Sequence, residues 1–142
     1  MQIADANIVL RYVLNDHPEL SMRAAEILED HDVVVPAEVI CEVVYVLQKV
    51  YHAAREHIKI KLSDMVSEGL ITVEKPDALK HALSVYSAKN IDIVDAFYGH
   101  ITQQRNVRYS HLMKNYRSAC FQDILKIPYK KGTCLTVEYI AG

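Results

Sequence analysis

The stretch DVVVPAEVICEVVYVLQKV, residues 32–50, decides the fold class. Val33, Val34 and Val35 form a short β-branched run bounded by Asp32 and Pro36, which predicts a buried strand. Pro36 is placed to be the first helical residue, where its missing N–H is no loss. Beyond it Val39, Ile40, Val43, Val44, Val46 and Leu47 recur at helical spacing. A strand that feeds directly into a helix is the unit from which α/β domains are built.

The same alternation extends in both directions. MQIADA predicts a short strand with Asp5 at its C-terminal end. Asn7 suits the N-cap of the following helix, IVLRYVLN, because its side chain can accept a backbone N–H of the next turn. His17-Pro18 ends that helix, and an amphipathic one runs from about Glu19 to Asp30 with Ala24, Ile27 and Leu28 on its apolar face. Downstream, a helix over Arg55 to Glu68 stops at Gly69, and Leu70 to Val73 is a third strand. Helical spacing resumes from about Asp77 to Lys89 and from about Ile93 to Gln104. Strands alternating with helices predict an α/β domain around a mostly parallel sheet.

Composition narrows the function classes. With 142 residues, 51% of them hydrophobic, the chain can bury one sizeable core and is too short for two. A net charge of −2 gives no global positive field for nucleic acid or a membrane surface. The total conceals an asymmetry: residues 1–104 carry 9 Lys/Arg against 16 Asp/Glu, whereas residues 105–142 carry 7 against 2. Cys41, Cys120 and Cys134 form no CxxC pair and no disulfide framework, which predicts a reducing, cytoplasmic setting. There is no basic leader with an apolar run behind it, and no apolar run of the ~18 residues that span a bilayer. No repeat or low-complexity segment interrupts the chain.

Three acids stand out against this background. Asp5 ends the first strand, where functional groups of parallel sheets gather. Glu42 interrupts the apolar helix of residues 37–50, and Asp95 interrupts IVDAFYGHI. Each has a bland reading: an Asp after a strand is usually a turn or cap, Glu42 can snorkel from a helix edge, and Asp95 or the better placed Asp92 can cap the last helix. If the three converge, each like-charged pair at about 4 Å repels by roughly 4 kcal/mol at an effective dielectric near 20. Such a cluster must take up protons or hold a hard divalent cation. Magnesium keeps several waters and few carboxylates, which leaves room for a phosphate oxygen and an activated water and suits phosphodiester hydrolysis. Competing chemistries lack their signatures. His52, His57 and His100 show no HxxxH or HExxH spacing for zinc, and no GxSxG elbow accompanies the serines.

Together, IADANIVLRYVLNDHPE, PAEVICEVVYVLQKVY and IDIVDAFYGH resemble the PIN-domain nucleases, in particular the VapC-like toxins of toxin–antitoxin pairs. The resemblance covers roughly residues 1–104 and implies an α/β/α sandwich. It implies Asp5, Glu42 and Asp95 as metal ligands for Mg²⁺ or Mn²⁺, with Asn7 holding the Asp5 loop and Asp92 as an outer-shell group or cap. It also implies an endoribonuclease with an RNA substrate, a cognate antitoxin and a homodimer. Arg11 is a candidate phosphate contact, although a surface charge is the commoner role.

The resemblance stops at the tail. Family members usually carry another strand ending in a Thr-Phe-Asp-like segment after the last helix, whereas NVRYSHLMKNY stands here and no acid lies between Asp95 and Asp123. Read with each codon's third base joined to the next two, VRYSHLMKNYR can encode KIFTFDEKLQK, so a frameshift near Val107 accounts for both the lost strand and the charge change. The expected organisation is therefore one domain over residues 1–142, with 107–142 an atypical tail and the last strand altered or missing. The seven Lys/Arg of residues 105–142, interleaved with Tyr109, Tyr116 and Tyr129, can contact RNA, but no residue period organises them and out-of-frame composition explains them more simply. Two functions follow as alternatives: a metal-dependent ribonuclease, or a catalytically inactive PIN-like protein that still binds antitoxin or itself through the helices starting at Glu19 and Pro36.

Overall fold

The computed structural model describes residues 2–104, which fall within one compact unit, Met1–Val107. The expectations for the altered tail and for a frameshift near Val107 lie outside the described residues. In chain order the elements are β1 (Gln2–Ile3), α1 (Ala6–Leu14), α2 (Pro18–Asp30), β2 (Val33–Val34), α3 (Ala37–Lys49), α4 (Arg55–Ser67), α5 (Pro76–Ala88) and α6 (Ile93–Gln104). The fold is α/β, as the alternation predicts, but mostly helical around a short parallel sheet.

β2 lies in the middle of that sheet. β1 pairs with it in parallel, Gln2 opposite Val33 and Ile3 opposite Val34, with Ala4 N donating to Val34 O at 3.1 Å. On the other side Thr72 N donates to Val33 O at 2.7 Å and Val35 N donates to Thr72 O at 2.8 Å. Flanked on both edges, Val33 and Val35 are buried, which is why this segment is a continuous Val run rather than an alternating one. The expected third strand, Leu70 to Val73, is reduced to the single parallel bridge Val34–Thr72. Two of its four residues, Ile71 and Val73, are nevertheless buried, so the apolar pattern marks burial correctly and overstates the ladder.

Helix ends follow local chemistry, with two shifts from the expected positions. The N-cap of α1 is Asp5, not Asn7: Asp5 has extended backbone and its side chain accepts from Ile8 N. The helix therefore begins before Asn7, which stands exposed in its first turn. Pro36 is the N-cap of α3, not its first residue, because its ψ of 153° keeps it extended. α4 ends as expected at Gly69, whose φ of +76° is the left-handed conformation that favours glycine. Leu70 N reaches Met65 O at 3.0 Å and Gly69 N reaches Val66 O at 3.4 Å, closing a Schellman motif. α2 and α5 start on Pro18 and Pro76, each at a first-turn position where no N–H is needed.

The core gathers one face from each element. Ile40, Val43, Val44 and Leu47 of α3 meet Val9 and Leu10 of α1, Ile58, Leu62 and Met65 of α4 and Leu79, Leu83 and Tyr86 of α5. Burying a Val or Leu side chain of this kind stabilises by about 1.5–3 kcal/mol relative to leaving it in water. α5 packs most extensively on α6, and α3 also touches α6. No helix among the described residues is long and apolar enough to cross a membrane.

Candidate active site

Asp5 stands one residue beyond the last sheet contact of β1, at the strand's C-terminal end. Its Oδ1 accepts from Ile8 N at 3.1 Å, so the start of α1 orients the carboxylate while its other oxygen keeps its full acceptor capacity. Glu42 projects from the second turn of α3, between the buried Cys41 and Val43, and is itself partly buried. Burial pushes the Glu42 carboxyl above its usual range, and the negative charge of Asp5 pushes it further. The fold thus brings Asp5 and Glu42, 37 positions apart in the sequence, into each other's field. Among the described residues Glu42 has neither a hydrogen-bond donor nor a cation beside it.

Asp95 lies in the first turn of α6, partly buried, on the helix that touches α3. Asp92 caps that helix: its Oδ1 accepts from Val94 N at 2.9 Å, and its carbonyl accepts from Ala96 N at 3.0 Å. The Asp92 charge reaches further, raising the Cys41 thiol, which burial in the first place pushes up to about 12. Asn7 is exposed at the second position of α1 and makes no side-chain hydrogen bond among the described residues. Arg11 is not turned to the acids. It pairs with Asp16 at 3.0 Å, the surface role that is commoner for such a charge.

No three His, Cys, Asp or Glu side chains among the described residues are gathered tightly enough to hold a metal ion by themselves, and like charges disfavour such gathering. What the fold supplies is Asp5 within the electrostatic field of Glu42, two carboxylates with hard oxygen donors. That donor set fits a hard divalent cation.

A second group of residues went unnoticed in the sequence. Arg55, the first residue of α4, donates from Nη1 to Tyr86 O at 2.8 Å and to Ile91 O at 2.7 Å. Its guanidinium carbon lies 4.3 Å from the Tyr86 ring centroid. With the Gln48 amide oxygen turned to Arg55, that oxygen accepts from Nε at 3.2 Å and Nη2 at 3.1 Å, and the amide nitrogen donates to Tyr86 Oη at 3.0 Å. The network fastens α3, α4 and α5 to the link that precedes the Asp92 cap. One signal was present: a cation in the first turn of a helix opposes the macrodipole, so Arg55 needed some other reason to be there.

The model of the family described as PIN domain matches residues 3–109. No curated protein and no solved structure matches the chain.

Proposed function

The chain belongs to the PIN-domain family, whose members are generally nucleases, and on that premise we propose that it is a metal-dependent endoribonuclease of the VapC-like toxin class. The observation that carries this reading is the Asp5–Glu42 pair at the C-terminal end of the sheet, with Glu42 destabilised as an anion. Asp5, Glu42 and Asp95 are the proposed ligands of a Mg²⁺ or Mn²⁺ ion. Bound there, the ion supplies charge stabilisation for phosphodiester hydrolysis. The start of α1 fixes Asp5 through Ile8 N, and α3 presents Glu42 from a packed face. The Asp92 cap sets the first turn of α6 and with it Asp95. The RNA substrate, a cognate antitoxin, a homodimer and a cytoplasmic location belong to the same proposal.

The test is cleavage of mixed RNA by purified protein with Mg²⁺ or Mn²⁺, beside Asp5→Asn and a chelator control. Cleavage that both controls abolish is the expected result. Background equal to that of Asp5→Asn defeats the enzyme reading.

One observation favours a second reading, a PIN-like protein that binds its antitoxin or itself without cleaving: no acid lies between Asp95 and Asp123. Loss of a fourth carboxylate weakens metal binding without touching the Asp5–Glu42 pair. The proposed cause, a frameshift near Val107, is read directly from the gene. Codons 107–118 are expected to spell KIFTFDEKLQK in the shifted frame, and bases that forbid it end the idea.

A further inference from the structure

A cavity of about 190 Å³ opens at the same end of the sheet, walled by Pro36 and Glu38 at the start of α3, Glu74 and Lys75 ahead of α5, and Phe97 and Tyr98 on α6. It lies beyond the C-terminal ends of β2 and of the segment bridged at Thr72, where open α/β sheets bind ligands. Helical spacing ties it to the acids. Glu38 and Glu42 are four residues apart on α3, and Asp95 and Tyr98 are three apart on α6, so each pair shares a helix face. The wall residues Glu38 and Tyr98 therefore each stand about one helical turn along their helices from Glu42 and Asp95, respectively.

Its chemistry is that of a base pocket. At roughly 30 Å³ per water the volume equals about six waters, enough for one flat ring system and too small for an extended ligand. Phe97, largely buried, and Tyr98 supply an aromatic wall. Glu38 and Glu74 are exposed, carry no hydrogen bond or ion pair among the described residues, and as carboxylates only accept. Lys75 adds one cation at the rim.

Single-stranded RNA is read by stacking unpaired bases on aromatic side chains and bonding their Watson–Crick edges. Only guanine offers two adjacent donors on that edge, N1–H and N2–H, which match the two oxygens of a carboxylate. Adenine and cytosine offer one amino group, and uracil sets a carbonyl on each side of its single N–H.

We propose that this cavity is a nucleobase subsite that takes a guanine next to the scissile phosphate, stacked at Tyr98 and held by Glu38 and Glu74, with Lys75 on its phosphate. The proposal rests on the nuclease reading for its place in the reaction, but binding to the cavity can be measured apart from cleavage.

The experiment has two arms. In the first, the four nucleoside 3′-monophosphates are titrated calorimetrically into the full chain in chelator, so that no metal chemistry contributes. Guanosine 3′-monophosphate is expected to bind about tenfold tighter than the others, the discrimination a bidentate pair provides. Glu38→Gln with Glu74→Gln removes that preference, and Tyr98→Ala weakens binding about tenfold. Glu38, Glu74 and Tyr98 are not core residues, and a thermal melt matched to wild type shows that each variant is folded. Equal binding of the four nucleotides, or a preference that survives the double variant, overturns the subsite.

In the second arm, oligonucleotides with one guanine moved along a uridine background are cleaved in Mn²⁺. Cleavage that follows the guanine supports the proposal. Cleavage indifferent to it overturns the subsite and leaves the nuclease reading standing. Guanine-selective binding with no cleavage leaves the subsite and defeats the nuclease.

Discussion

Arg55 donates from Nη1 to the carbonyl oxygen of Ile91 at 2.7 Å, so the first residue of α4 holds the link that delivers the Asp92 cap and α6. Arg55→Met keeps the stem and removes every donor. It leaves the Tyr86 and Ile91 carbonyls and the Gln48 amide without their charged partner, a loss of about 3 kcal/mol. Urea denaturation is expected to show that drop. Amide exchange at Val94 and Ala96 is expected to accelerate more than in α1, because the first turn of α6 is what the link positions.

Asp5 separates stability from chemistry. Its Oδ1 caps α1 through Ile8 N, and asparagine caps as well as aspartate does. Asp5→Asn should therefore melt within a few tenths of a kcal/mol of wild type, while Asp5→Ala loses about 1 kcal/mol. Under the proposed chemistry both lose metal-dependent cleavage. Thermal melts and RNA cleavage on the same three preparations check the pattern.

Glu56 of α4 accepts from Ser87 Oγ of α5 and pairs with Lys59 at 2.9 Å. The Ser87 hydrogen bond first, then Lys59, lowers the Glu56 carboxyl below its ordinary 4.5. A lowered acid stabilises the fold at pH above its unfolded value, and that contribution disappears as pH falls through the folded value. Wild type is expected to exceed Glu56→Gln in urea midpoint at neutral pH, with the gap closing only below pH 4.5. A gap that is constant from neutral to acid pH contradicts the linkage.

Cys41 is buried and its thiol is pushed up to about 12, by burial first and then by Asp92 and Glu38. Almost no thiolate exists at neutral pH, and the thiolate is the reactive form. Iodoacetamide at pH 7.5 is expected to leave Cys41 unmodified in native protein and to alkylate it in urea, read by peptide mass spectrometry.

Much of this architecture was legible in local spacing. Val33 to Val35 between Asp32 and Pro36 marks the central strand, the period of Ile40, Val43, Val44 and Leu47 marks the buried face of α3, and Gly69 marks the end of α4. These features depend on neighbours within one turn, which is the range a sequence pattern reports. The same range explains the errors. Asn7 and Asp5 are both good caps, and the choice fell to Asp5 because the sheet bond from Ala4 N to Val34 O fixes where the strand ends. The residues Leu70 to Val73 are apolar enough for a strand, but Thr72 alone makes the bridge.

The sequence by itself determined the order of elements and the buried faces and, through family resemblance, is the source of the proposal that Asp5, Glu42 and Asp95 form the site. Only the tertiary structure decided that Asp5 lies in the field of Glu42, that Arg55 clasps the α5–α6 link with Gln48 and Tyr86, and that Glu38, Glu74 and Tyr98 wall one cavity. The division has a physical cause. Periodicity and capping are set by bonds spanning a few residues, whereas a carboxylate's field, an arginine's reach and a cavity's walls depend on distances in space between segments tens of residues apart.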